Sequence, residues 1–236
     1  CIDDLERKGE GLAIKDILGL ISLLKEQKEC KIVILLNDGE DGLDDYAKYH
    51  EKVIDIELKF EPTAEDCASI VYTENDYIHT TLKKLTPKLQ IKNIRILKKI
   101  ERLVKNAIPV VSKFEEDVKY QIIHSLTLFA WCYYCSKSDA EIPTFEFVTN
   151  LGYSLVDIGT KEKISEQEKN WRAILQKYEY QYSDELDLVL ADAVKTGYFV
   201  NSLLLSTANN LNNQILESKS KGAFKNAWRL YHDSFS

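Results

Sequence analysis

Cys1-Ile2-Asp3-Asp4-Leu5-Glu6-Arg7 opens the chain, and one helix-length later comes Lys31-Ile32-Val33-Ile34-Leu35-Leu36-Asn37-Asp38. The first stretch runs from an apolar residue into paired carboxylates. The second is an apolar run of strand length that ends in an amide and a carboxylate. Strands of a parallel sheet are buried on both faces and read as continuous hydrophobic runs, and ligands gather where such strands end. If Ile2 closes one strand and Leu36 the next, Asp3, Asp4 and Asn37 share the rim of one crevice. Between them Leu12, Ile14, Ile17, Leu18, Ile21 and Leu24 recur at three- and four-residue spacings, the period of a crossover helix.

Outward from this unit, residues 39–45 are acidic and glycine-containing, a loop, and 43–50 are a short helix. Val53-Ile54-Asp55-Ile56-Glu57-Leu58 alternates apolar and acidic side chains, as a half-exposed edge strand does. Pro62 closes it, and Thr63-Ala64-Glu65-Asp66 opens a helix. Helical periodicity then dominates: 64–72, 77–85, an amphipathic helix from Asn93 to Val104, and a long apolar helix from Phe114 to Cys135. The stretch 145–156 is ambiguous. Further helices are expected at 161–182, 184–194, 198–216 and 223–235. The predicted fold class is α/β followed by all-α: a parallel sheet remnant over 1–61, a helical lid over 62–112, and a helical domain over 113–236.

The chain has 236 residues, 44% hydrophobic and 29% charged, the balance of an ordinary globular protein. No apolar run reaches membrane-span length. The net charge of −7 argues against a nucleic-acid surface. Five cysteines without framework spacing point to a reducing, cytoplasmic setting. The chain begins with Cys, which reads as part of a longer protein; it also contains no methionine.

Nucleoside triphosphate hydrolysis needs a hard cation on the phosphates and a carboxylate to orient water. An acid pair directly after an apolar strand supplies both groups, and an amide at the next strand end contacts phosphate where a carboxylate would repel it. The same residues also read as a plain loop opening and a common strand terminator.

Ile2-Asp3-Asp4-Leu5-Glu6-Arg7, a helix, then Val33-Ile34-Leu35-Leu36-Asn37-Asp38 resembles the Walker B and sensor 1 strands of P-loop ATPases. The form Asp-Asp-Leu-Glu-Arg resembles the KAP group and its STAND-type relatives, near the AAA+ ATPases. Tyr49 to Ile56 resembles the basic residue and strand that precede the helical lid, and Asn93-Ile94-Arg95 resembles the sensor 2 helix. The resemblance spans residues 1–107. It implies Asp3 as the magnesium carboxylate, Asp4 as the catalytic acid, Asn37 as sensor 1, Arg95 as sensor 2, and Lys52 as a basic finger reaching ATP in cis or from a neighbouring subunit. Arg7 is a second candidate finger, but reads better as a helix-start salt bridge. Arg95 also reads as a basic residue on the solvent face of a helix. ATP and Mg2+ as cofactors, a homo-oligomer, a protein effector on the helical domain and a role in bacterial defence are further implications. The departure is that no Gly-x-x-x-x-Gly-Lys-Ser/Thr occurs; in the family it precedes Walker B.

Cys132-Tyr133-Tyr134-Cys135 has redox-motif spacing but lies in an apolar helix, so buried free thiols are expected. His50, His79, His124 and His232 are scattered singly, and no nucleophile elbow occurs. The competing reading is a helical scaffold without catalysis, with the acid pair and Arg95 structural.

Overall fold

The computed structural model describes residues 1–5, 8–9, 11–37, 44–151 and 165–233, with the side chains of 44, 45, 47 and 223–233 outside the description. Arg7, the loop residues 39–43 and the stretch 152–164 therefore lie outside it. The chain divides into two compact units, Cys1–Glu61 and Pro62–Ser236. It is predominantly helical, and the described residues contain no strand.

In the first unit, helix α1 (Ile14–Lys28) buries Ile14, Leu18 and Ile21, and Ile2, Ile17, Ile32, Ile34, Tyr46 and Val53 pack around them. The helix stops at Glu29, whose left-handed backbone (φ 50°) lets the Cys30 N–H reach the Leu24 carbonyl at 3.1 Å. Satisfying a last-turn carbonyl this way is a usual helix ending. Helix α2 (Asp44–Val53) packs on α1, and Lys25 donates to the Asp55 carboxylate just past its end.

The expected sheet shrinks to one parallel bridge between Ile2 and Ile34. Ile32, Ile34 and Leu36 turn half inward, but Val33 and Leu35 stay 57% and 49% exposed. Burial therefore has period two where a doubly covered strand was expected. The edge strand over 53–58 is corrected as well. Its chain is irregular after α2, with Ile56, Leu58 and Phe60 at least 76% exposed, because the described residues offer its backbone no ladder partner.

The second unit begins with α3 (Ala64–Val71), opened by a capping box between Thr63 and Asp66. Helix α4 (Tyr77–Leu85) is capped by Asp76 and ends ahead of the Pro87 turn. Helix α5 (Ile94–Ala107) is capped by Asn93, whose side chain accepts from the N–H groups of Arg95 and Ile96. It buries Ile96, Leu97, Ile100, Leu103, Val104 and Ala107, one stripe at helical period. Helix α6 (Glu116–Cys135) is buried without a break from Ile122 to Cys132, which makes it the axis of the unit.

Around α6 stand α4, α5, α7 (Phe145–Thr149), α9 (Glu185–Thr196) and α10 (Asn201–Asp233). The described residues of 62–112 and 113–236 thus share a single core. Helix α8 (Glu166–Lys177) brings Leu175 and Tyr178 to it, and its Trp171 indole donates to the Ala140 carbonyl at 3.2 Å. Two helices were expected after Tyr198, yet α10 runs unbroken through Gly222. A single interior glycine weakens a helix by about 1 kcal/mol, too little to end a long one. No helix among the described residues is long and apolar enough to cross a membrane.

Candidate functional site

The Ile2 N–H donates to the Val33 carbonyl and the Leu35 N–H donates to the Ile2 carbonyl, each at 2.8 Å. Because the pairing is parallel, both segments leave this bridge at the same end. One continues into Asp3-Asp4, the other into Leu36-Asn37. The crossover between them is α1, whose buried stripe seats Ile2 and Ile34 and so sets the register.

Asp3, Asp4 and Asn37 are all exposed. The Asp4 backbone is left-handed, with φ 54°, and its N–H donates to the Asp3 carboxylate at 2.9 Å. Asp tolerates this conformation better than most residues, yet still at a cost. The turn also places Leu5 inside, 3% exposed, so the acid pair stands outward between two apolar anchors. Strained backbone of this kind concentrates at functional positions. The donor set offers only hard carboxylate and amide oxygens, which fits magnesium better than a softer metal. The sequence contains no Gly-x-x-x-x-Gly-Lys-Ser/Thr motif to supply the phosphate cradle.

Lys52 is exposed in the last turn of α2. Arg95 belongs to the second unit, exposed at the second position of α5.

Two clusters in the second unit escaped the sequence reading. Buried His79 accepts the Glu74 N–H at Nδ1 (2.9 Å), which leaves Nε2 to donate to Glu101 at 2.9 Å. Lys105 closes the ring, with its ammonium 2.9 Å from both Glu101 and Glu74. Burial works to raise the Glu101 carboxyl, but hydrogen bonds from Lys105 and His79 outweigh it and hold it below the usual range. Ligand atoms of Glu74, Asp76 and His79 lie within 4.8 Å of one another, the spacing of a metal site. The Lys105 ammonium already serves as the cation there, so the cluster reads as a strut between α4 and α5. The Asp76-x-x-His79 spacing, a cap residue followed by its N3 partner, was its only sequence signal.

The second cluster surrounds Asp187, 2% exposed in the first turn of α9. It accepts from the Tyr180 hydroxyl at 3.2 Å and the Asp184 N–H at 3.2 Å, with the Gln121 amide 3.4 Å away. Burial first, then the charge of Asp184, push its carboxyl up to about 6. A carboxyl poised there is chemically capable, but it is sealed inside the helical core. Cys132 and Cys135 are free thiols pushed up by burial, which suits a packing role rather than redox chemistry.

Set against models of known protein families, curated proteins and solved structures, the chain matches none.

Proposed function

We propose that the first unit carries the strand-end half of a magnesium–ATP site. The observation that supports this most is the parallel bridge, which sends Asp3-Asp4 and Asn37 off at one end with Asp4 in a left-handed turn. Asp3 is the carboxylate that would hold magnesium, which supplies charge neutralisation on the phosphates. Asp4 orients and accepts the proton of the attacking water. The Asn37 amide contacts phosphate oxygen without adding negative charge. Arg95 and Lys52 keep the roles that the resemblance to KAP and STAND ATPases assigns them. Nucleotide state biases the arrangement of the helices, and assembly into an oligomer follows if a basic finger acts between copies.

The test is ATP turnover with magnesium by the full-length protein, beside its Asp4→Asn and Arg95→Ala variants. A drop of about 100-fold or more in both variants supports the reading, on the scale of losing a group that stabilises the transition state. Turnover that ignores both substitutions overturns it. A second reading, a helical scaffold without catalysis, is favoured by the continuous core that the described residues of the second unit form.

A further inference from the structure

The acidic balance of this chain is not uniform. Residues 77–113 contain ten lysines and arginines against one acid, Glu101, and so carry +9 in a chain of −7. Segregation of this degree marks a surface built for a polyanion.

Helix α5 displays the centre of this charge. Arg95, Lys98, Lys99 and Arg102 are all exposed and recur at three-, four- and seven-residue intervals, which puts them on one face. None has a carboxylate within 4.0 Å among the described residues, whereas Lys88 and Lys105 nearby both do. The one acid of the segment is turned away, committed to His79 and Lys105. The first turn of α5 holds no acid, although a helix N-terminus favours acids and disfavours Arg95. Lys99 is held in place by its ammonium, 3.9 Å above the half-buried Tyr134 ring.

We infer that this face of α5 binds the phosphate backbone of a nucleic acid, without reading its sequence. The cations step along the helix once per turn of about 5.4 Å, on the order of the separation of successive phosphates on a strand. Two of the four are arginines, whose guanidinium fork matches phosphate oxygens. A lipid surface fits less well, because the apolar stripe of α5 is buried in the core and leaves nothing to insert. Arg95 is shared with the ATP reading, but Lys98, Lys99 and Arg102 have no part in that site, and the substitutions that test the inference are confined to them.

The test titrates the full chain, without nucleotide, against a fluorescein-labelled DNA duplex of roughly 24 base pairs, from about 50 to 200 mM salt. Four phosphate contacts give a log–log salt slope of about −3.6, a weakening of roughly 150-fold across that range. Lys98→Ala/Arg102→Ala is expected to flatten the slope to about −1.8 while its circular-dichroism melt stays unchanged, both side chains being exposed. Lys28→Ala/Lys31→Ala, in the first unit, is expected to leave the slope alone. No binding at the lowest salt, a slope unmoved in the α5 variant, or binding only to phosphatidylserine vesicles overturns the inference.

Discussion

His124 and Tyr178 hold each other by both ring and backbone. Their rings stack with centroids 4.2 Å apart and planes 8° from parallel. His124 Nε2 donates to the Tyr178 carbonyl at 2.8 Å, and the Tyr178 hydroxyl donates to the His124 carbonyl at 3.1 Å. The pair fastens the end of α8 to the middle of α6, and each polar atom it buries has a partner.

Burial, aided by the charge of Lys88, holds the His124 imidazole below its ordinary range despite the Tyr178 carbonyl. The native state therefore binds this proton less readily than the unfolded chain. The contribution of neutral His124 is complete above the unfolded value, about 6.5, and is lost as pH falls below it. Urea unfolding is expected to show stability declining from about pH 7 to 5, and His124→Gln to remove part of that decline. Tyr178→Phe keeps the stack and loses one hydrogen bond, for about 1 kcal/mol.

Glu101→Ala leaves the buried His79 Nε2–H without its acceptor and is expected to cost about 2–3 kcal/mol in chemical unfolding. Glu101→Gln retains an acceptor and costs less. Because the Glu101 carboxyl is held below its usual range, its charged form stabilises the fold above the unfolded value. That contribution is lost as pH falls, and the Gln variant does not show the loss.

Asp187 behaves with the opposite sign. Its native carboxyl keeps the proton up to about 6, while the unfolded chain releases it near 3.8. The resulting stabilisation is complete below the unfolded value and is lost as pH rises through that window. Asp187→Asn is therefore expected to gain on the wild type between about pH 4 and 6, by up to about 3 kcal/mol, and to hold the gain above it. Denaturation midpoints at the two ends of the window measure this.

Asp4→Gly separates strain from chemistry. With φ at 54°, glycine fits the backbone more easily than aspartate, and alanine less easily. Hydrogen exchange at the Ile2 and Leu35 amides is expected to slow slightly in Asp4→Gly and quicken in Asp4→Ala, each by under about 1 kcal/mol. Both variants are expected to abolish turnover if the carboxylate is catalytic. Turnover that follows the stability of the bridge instead would mark Asp4 as a turn residue.

Much of the helical unit was legible in the residues themselves. Thr63 and Asp66, Asp76, and Asn93 announce the starts of α3, α4 and α5 through short-range hydrogen bonds, and Pro87 marks where α4 cannot continue. The α5 stripe from Ile96 to Ala107 fixes its buried face by period alone. The pairing of Ile2 with the run before Asn37 was also foreseeable, since one apolar run, one crossover helix and a second run leave few arrangements.

Local sequence determined where helices begin, which face they bury, and that Asp3, Asp4 and Asn37 leave the bridge together. Only the tertiary structure decided the rest. Strand formation at 53–58 depends on a backbone partner that alternation cannot supply, and the described residues provide none. His79 with Glu101, and His124 with Tyr178, are joined across 22 and 54 residues of chain. No spacing rule reaches that far; packing around α6 brings them together. The charge of residues 77–113 was written in the sequence, but only folding turned Arg95, Lys98, Lys99 and Arg102 outward together while tying Glu101 down. A helix buries its apolar stripe and thereby selects which charges remain in water.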